Sequence, residues 1–129
     1  MELQEARMAE SLSVVRSAYA AFQRGDVPAV LELAAPDVRW NYFGSVPWAG
    51  ERTGKEQVGQ FFGVLGGALD IKEFEPTTFV SEGEQVAVFG RTVATARQTG
   101  KTYENRWVHH FVVTDGKIAR YAGYDTQPL

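Results

Sequence analysis

The second half of the sequence consists almost entirely of strand patterns, and this feature restricts the fold more than any other. Residues that favour β-structure recur in four segments, which are 71–80, 85–96, 101–113 and 117–124. Short turns that contain glycine separate these segments, and the clearest is Asp115-Gly116, a dipeptide that favours two-residue hairpin loops. We therefore predict a meander of four antiparallel strands.

The first half of the sequence shows helical periodicity instead. One apolar stripe predicts an amphipathic helix over residues 10–24. Its members are Leu12, Val15, Tyr19 and Phe22. Asp26 is suited to cap a short second helix, which Pro36 brings to an end. Alternation of apolar and polar residues then predicts a strand over residues 38–42.

A third helix is predicted after a loop. Residues 44–54 have little periodicity and several Gly, Ser and Pro residues, which indicates a loop. Thr53 and Glu56 have the spacing of a capping box, in which each side chain accepts a hydrogen bond from the backbone amide of the other residue. Val58 and Phe61 belong to the apolar face of the helix that begins there.

Helices in the first half and strands in the second half indicate the α+β class. The chain of 129 residues has the size of one domain, so we predict a single domain over 1–129, with residues 1–9 as a flexible N-terminal extension. A sheet of this length with one face against helices must curl, and the open end of its concave side is too wide for side chains to fill. We expect an apolar pocket there.

Composition and charge exclude several partners and cofactors. The formal net charge is −3 and the basic residues are scattered, so nucleic acid is not an expected partner. No apolar run approaches the ~20 residues of a membrane span and the N-terminus does not read as a signal peptide, so we expect a cytoplasmic protein without membrane contact. With no cysteine and only two histidines, neither a metal nor another cofactor is expected.

Several motifs occur together in an order and spacing that resemble a known family. They are Val14-Val15-Arg16 to Phe22 with Arg24-Gly25-Asp26, Pro36-Asp37-Val38-Arg39-Trp40, Ala49-Gly50-Glu51-Arg52-Thr53-Gly54 with Phe61-Phe62, Trp107-Val108-His109-His110-Phe111 with Asp115-Gly116-Lys117-Ile118, and Tyr124-Asp125-Thr126. From about Val14 to Thr126 the chain is thus similar to the nuclear-transport-factor-two-like superfamily. Within it, the chain resembles the SnoaL-like polyketide cyclase and ketosteroid isomerase branch.

The resemblance implies a cone-shaped domain, in which a curved mixed or antiparallel sheet wraps around three N-terminal helices and encloses an apolar pocket. It also implies a homodimer that forms through the outer face of the sheet, and a small hydrophobic molecule as ligand. Members of the family include isomerases, cyclases, dehydratases, epoxide hydrolases and binding proteins. The fold therefore does not decide the function by itself.

His109 and Asp125 are the candidate catalytic residues. Alternation places His109 on the face of its strand that also carries Trp107 and Phe111. The resemblance implies a hydrogen-bond donor to a developing oxyanion at this position, and a histidine satisfied by a neighbouring side chain is the alternative. In one strand register Asp125 shares the inward face and orients His109 as an acid/base dyad. In the other it is a strand-terminal carboxylate bonded to backbone or solvent.

The remaining candidates are predicted to line the pocket and bind the ligand. They are Tyr19, Trp40, Asn41, Tyr42, Trp48, Phe61, Phe62, Asn105, Trp107, Phe111 and Tyr121. The resemblance also implies that steroid isomerases carry a carboxylate base just past the first strand. This sequence has Asn41 and Tyr42 in that region, which argues against steroid isomerase activity.

Three functions remain compatible with these residues. The favoured hypothesis is a metal-free and cofactor-free enzyme that isomerises, cyclises or dehydrates a small hydrophobic substrate by acid/base chemistry. The first alternative is a non-catalytic binding protein for a hydrophobic ligand, which needs fewer converging polar groups than an enzyme does. The second is an epoxide-hydrolase-like enzyme, which requires a carboxylate–arginine–carboxylate set, whereas Asp125 is the only inward carboxylate expected.

Overall fold

Three helices and six strands make up the described part of the chain. The computed structural model describes residues 2–126, except for the side chains of residues 2 and 4. The elements are α1 (Glu2–Gln23), α2 (Val27–Glu32), β1 (Ala34–Tyr42), β2 (Gly50–Thr53), α3 (Lys55–Ala68), β3 (Leu69–Glu82), β4 (Gln85–Ala96), β5 (Thr102–Thr114) and β6 (Lys117–Asp125). Within residues 2–126, no helix combines the length and the apolar character that crossing a membrane requires. The predicted α+β class is confirmed.

The six strands form one mixed sheet whose two edges do not meet. The strand order is β2-β1-β6-β5-β4-β3, so the predicted meander of β3 to β6 is present and β1 is added beside β6. β1 runs parallel to β6, and every other neighbouring pair is antiparallel. Irregularities in register interrupt β1, β3 and the β5–β6 pair, and such bulges bend strands and increase their twist. The sheet therefore curves, as a cone requires.

The concave face of this sheet holds the core. Along β5 buried and less buried residues alternate, because successive side chains of a strand point to opposite faces. The inward set includes Trp107, His109 and Phe111, which α1 covers, while α3 packs against β1, β2 and β3. Parallel pairing of β1 with β6 sets Trp40 beside Tyr121 on the same face. Aromatic side chains from six elements, which are α1, β1, α3, β3, β5 and β6, thus converge on one interior.

The structure differs from the sequence predictions at four places. α2 ends at Glu32, so Pro36, predicted to end this helix, lies inside β1. α1 begins at Glu2, so residues 2–9, predicted as an extension, continue the first helix, while residue 1 lies outside the described residues. Residues 50–53 were predicted as loop, but they pair with the edge of β1 as β2. The predicted capping box is wrong, because the Thr53 amide donates to the side chain of Gln57, at 2.8 Å, rather than to Glu56.

Candidate functional site

A cavity lies between the concave face of the sheet and the helices α1 and α3. It measures about 90 Å³, which is room for about three water molecules at ~30 Å³ each, or for a small organic group in their place. Aromatic side chains form most of its wall, and the polar members are few. They include Thr92, Tyr103, Asn105, His109 and Asp125. A mostly apolar chamber with a few polar groups is the usual form of a small-molecule site.

Almost all residues predicted to bind the ligand line this cavity. They are Tyr19, Trp40, Tyr42, Trp48, Phe61, Phe62, Asn105, Trp107, Phe111 and Tyr121. Asn41 is the exception, and its prediction is wrong. Because Trp40 and Tyr42 point inward, alternation along β1 turns Asn41 to the opposite face, where it is half-buried beside Glu51 and Ala122.

Two polar lining residues were not predicted. Tyr103 lies two residues before Asn105 on β5, so extending the same alternation by one step would have found it. Thr92 lies opposite Asn105 on β4 and accepts a hydrogen bond of 2.8 Å from the Trp107 indole nitrogen. No sequence signal marks Thr92, because its place depends on how β4 and β5 are paired.

His109 is held by a tyrosine from the first helix. The Tyr19 hydroxyl and His109 Nδ1 are 2.7 Å apart in a buried hydrogen bond. The Tyr19 O–H can donate to Nδ1, and in that arrangement the imidazole proton resides on Nε2. Trp107 stacks on the imidazole, with 4.0 Å between ring centroids. The ring is thereby fixed in place, with Nε2–H as its remaining donor.

Burial keeps this pair uncharged. Burial lowers the pKa of His109 from 6.5 to about 3, because the charged imidazolium form loses its hydration in the interior. Burial likewise raises the pKa of Tyr19 well above 10, since the phenolate would be equally poorly solvated. At neutral pH His109 is therefore a neutral hydrogen-bond donor and not a general acid that carries a positive charge.

Asp125 lies at the end of β6 and faces the cavity. Its Oδ2 atom accepts hydrogen bonds from the Tyr42 hydroxyl and, at 3.1 Å, from Asn105 Nδ2. Its hydrogen-bond partners are thus two side chains that line the cavity. They are not the backbone or solvent partners that the second interpretation of the sequence gave to Asp125. Burial first, and the hydrogen bond to Asp125 second, raise the pKa of Tyr42, which therefore stays protonated as a donor.

The expected dyad of His109 and Asp125 is not formed in the structure. His109 pairs with Gly123 across β5 and β6, and Asp125 pairs with Trp107, so the two candidates are diagonal neighbours. Diagonal side chains of this kind are about 7–8 Å apart at their bases, and the described hydrogen bonds of His109 and Asp125 go to other residues. Each residue has its own tyrosine instead.

Three buried polar atoms of the described residues have no hydrogen-bond partner, and all belong to residues that line this cavity. They are Trp40 Nε1, Asn105 Oδ1 and Asp125 Oδ1. Buried polar atoms are satisfied in the great majority of cases, so unsatisfied ones concentrated at one cavity point to a ligand or water as the missing partner. Asn105 and Asp125 contribute two unsatisfied acceptors next to each other.

Asp125 is the only carboxylate among the described lining residues, and none of them is an arginine. The set of two carboxylates and one arginine that an epoxide-hydrolase-like reaction requires is therefore not assembled in this wall. In the part of the chain that the structure describes, no group of three or more His, Asp or Glu side chains is arranged to hold a metal ion.

This combination of fold and cavity defines a class of small α+β proteins with an internal small-molecule site, and comparison with known proteins specifies the family. The model of the SnoaL-like domain matches residues 15–121. The chain belongs to the SnoaL-like domain family. No match to a curated protein sequence was found.

Solved structures with the same fold include NTF2-like proteins from two Burkholderia species. The protein from B. xenovorans LB400 has 28% identity and a TM-score of 0.84, with 92% of this chain and 91% of that chain covered. The protein from B. thailandensis E264 has 29% identity and a TM-score of 0.85, with 90% of each chain covered. TerC, co-crystallised with polyporic acid, has 25% identity and a TM-score of 0.80, with 89% of this chain and 90% of that chain covered.

Proposed function

We propose that this protein is a cofactor-free enzyme that moves a proton on a carbon next to the carbonyl group of a small apolar substrate. Asp125 is the general base, and His109 donates the hydrogen bond that stabilises the developing oxyanion. The observation that carries this proposal is the free Oδ1 atom of Asp125, buried in an aromatic cavity while Oδ2 is held by Tyr42 and Asn105.

The reaction balances without another reactant. Asp125 Oδ1 takes the proton, the electrons of the C–H bond form a carbon–carbon double bond, and the carbonyl π electrons move to oxygen. His109 Nε2–H hydrogen-bonds that oxygen, and burial keeps the imidazole neutral, as a donor with a fixed tautomer. In a substrate with a β,γ double bond, the resulting dienolate takes the proton back from Asp125 at its γ carbon while the carbonyl group reforms, which moves the double bond and isomerises the substrate.

The surroundings of Asp125 favour this chemistry. Few polar groups line the cavity, and Asp125 Oδ1 has no hydrogen-bond partner among the described residues, so a substrate in the cavity meets this oxygen directly. The hydrogen bonds from Tyr42 and Asn105 fix the carboxyl group, which leaves Oδ1 pointing in one direction. Asp125 and His109 occupy diagonal positions on β6 and β5. From there the base can contact the C–H group of the substrate while the donor contacts its carbonyl oxygen.

The test uses a probe that requires only a base. Opening of the nitrobenzisoxazole ring consists of proton abstraction from carbon with cleavage of the N–O bond, and it releases a coloured cyanophenolate. We expect the wild-type protein to catalyse it and Asp125→Asn to lower kcat/KM at least about 100-fold, which is the range of general-base effects. Asp115→Asn is the matched control, because Asp115 lies in the exposed β5–β6 turn with φ of 52°, which asparagine adopts readily. Equal rates for wild type and Asp125→Asn would contradict the proposal.

The second candidate is a non-catalytic binding protein for a hydrophobic ligand. It is favoured by the lack of direct contact between His109 and Asp125, which leaves no preformed acid/base dyad in the described site. A binding protein would take up the probe without turning it over. Saturable binding together with a ring-opening rate equal to that of Asp125→Asn would therefore support this second function.

We also propose that two copies associate through the outer face of the sheet. Strand register places Phe89, Val108 and Tyr124 in one row across β4, β5 and β6 on that face, and Phe43 stacks on Tyr124 with 4.6 Å between centroids. Phe89 is 43% exposed and Tyr124 is 46% exposed, so large apolar side chains of one row are exposed together on this face. Sedimentation equilibrium of wild type and Phe89→Lys tests this, with a dimer expected only for the wild type. A monomeric wild type would contradict it.

A further inference from the structure

We infer that Asn105 is the specificity-determining residue of this cavity, and that it selects an uncharged apolar substrate that carries a hydroxyl group. This inference rests on the proposed function, because it assigns Asn105 to substrate recognition and leaves Asp125 for proton transfer. Asn105 is 8% exposed and lines the cavity, so a ligand that enters meets its side chain without bulk water in between.

The orientation of the Asn105 amide follows from its neighbour. Asp125 Oδ2 is a hydrogen-bond acceptor, so the Asn105 atom 3.1 Å away must be the donor Nδ2. Turning the amide around would bring two acceptors together. Asn105 Oδ1 therefore points away from Asp125 Oδ2, and it has no hydrogen-bond partner among the described residues. A buried acceptor in that state needs a donor from water or, once a ligand has displaced the water, from the ligand itself.

The required donor excludes several ligand types. Ethers, ketones and carboxylates present only lone pairs to Asn105 Oδ1, and a carboxylate is also repelled by Asp125. An ammonium ion would donate, but it would also pair with Asp125 Oδ1 and occupy the base. It must in addition lose its hydration in an aromatic chamber. A neutral hydroxyl group donates without these costs.

The two unsatisfied acceptors, Asn105 Oδ1 and Asp125 Oδ1, then have separate roles in binding and catalysis. The substrate hydroxyl donates to Asn105 Oδ1, and the acidic C–H lies at Asp125 Oδ1. The ligand class is accordingly a hydroxyl-bearing carbonyl compound with an apolar, flat body that fits between the aromatic walls. Asn105 holds the substrate, and its bond to Asp125 keeps the anchor and the base at a fixed separation.

The first experiment compares two ligands on the wild-type protein by isothermal titration calorimetry. p-Cresol carries the hydroxyl donor, and p-methylanisole has the same ring with an oxygen that only accepts. We expect p-cresol to bind at least about 10-fold more tightly, because an unmet buried acceptor costs enough to produce that factor. Equal affinities would overturn the inference, and this comparison does not depend on any variant folding.

The second experiment repeats the titration with Asn105→Leu and with Asn41→Leu as the matched control. Asn41 undergoes the same substitution but lies on the other face of the sheet, outside the cavity. We expect the preference for p-cresol to fall below about 2-fold in Asn105→Leu and to keep its wild-type value in Asn41→Leu. A preference that survives in Asn105→Leu and disappears in Asp125→Asn would overturn the inference by assigning the hydroxyl to Asp125.

Two charged ligands complete the test. Benzylammonium and p-toluate should each bind at least about 10-fold more weakly than p-cresol, and tighter binding of benzylammonium would overturn the inference in favour of a cation site. The result is separable from that of the ring-opening assay. Loss of the p-cresol preference with Asp125-dependent catalysis intact would remove only this inference, whereas an intact preference without catalysis would remove only the proposed enzyme function.

Discussion

His109 has no charge at neutral pH, and this property links the stability of the protein to pH. Its pKa is lowered by burial from 6.5 in the unfolded chain to about 3 in the folded protein. Between these values the unfolded state binds a proton that the folded state does not bind. The stability from this group is therefore complete above about pH 6.5 and decreases as the pH falls toward about 3.

We predict that His109→Asn removes this dependence. The wild-type free energy of unfolding should decrease with a slope that approaches about 1.4 kcal/mol per pH unit from this group, and the variant should lack that contribution. Urea unfolding across this pH range measures the difference between the two proteins. His110→Asn is the matched control, since His110 lies on the other face of β5, bonded to Gln85, and leaves His109 in place. Parallel pH profiles for wild type and His109→Asn would contradict the prediction.

Gly123 makes space for the aromatic groups around Asp125. A Cβ atom on Gly123 would lie 2.5 Å from the Tyr121 hydroxyl oxygen and 2.6 Å from the Tyr42 ring. We predict that Gly123→Ala destabilises the protein by about 1–3 kcal/mol, because both rings must move in a packed interior. It should also lower ring-opening activity, because Tyr42 holds Asp125. Chemical denaturation and the ring-opening rate test both effects, and an unchanged stability would show that the rings adapt freely.

The sequence predicted the orientation of a residue well where the residue belongs to an alternating pattern. It did not predict contacts between residues that are far apart in the chain. Alternation along β5 indicated that His109 faces inward, and it does. The partner of His109 was not predictable, because Tyr19 belongs to a helix at the other end of the chain and its contact depends on how α1 docks on the sheet. Asn41 was misplaced because it was judged by its chemistry instead of by the alternation of β1.

At the scale of elements, a glycine-to-alanine substitution in α3 should raise stability, whereas the same substitution at Gly123 should lower it. Gly63 lies on its exposed side, and a Cβ atom there would contact nothing within 4 Å. We predict that Gly63→Ala stabilises the protein by about 1 kcal/mol, since alanine has the higher helix propensity and no clash opposes it. Thermal unfolding measures the change. A loss of stability would mean that the helix needs glycine at this position for packing.

The elements also differ in how far the sequence determines them. β4, β5 and β6 begin and end within about one residue of their predicted limits, because turns and alternation agree on the same boundaries. β2 has neither signal. It is a strand of four residues, Gly50–Thr53, and it exists only because the edge of β1 offers it a hydrogen-bonding partner. Short edge strands of this kind depend on tertiary structure and not on their own residues.

At the scale of the whole molecule, the fold class and the position of the cavity followed from the sequence, whereas the chemistry inside it did not. A curled sheet over helices predicts a concave site for any sequence with this pattern. The division of that site into a neutral Tyr19–His109 pair and an Asp125 group held by Tyr42 depends on strand register. One residue of shift on β6 would turn Asp125 to the other face.

The central claim is that Asp125 removes a proton from carbon in this cavity, and deuterium exchange followed by NMR tests it most directly. p-Hydroxyphenylacetone is an uncharged probe with a hydroxyl group and an acidic methylene group next to its carbonyl. We predict that the wild-type protein in deuterated water accelerates exchange of that methylene group at least about 100-fold over Asp125→Asn, while Asp115→Asn behaves as wild type. Exchange that is no faster with the wild-type protein than with Asp125→Asn would contradict the account.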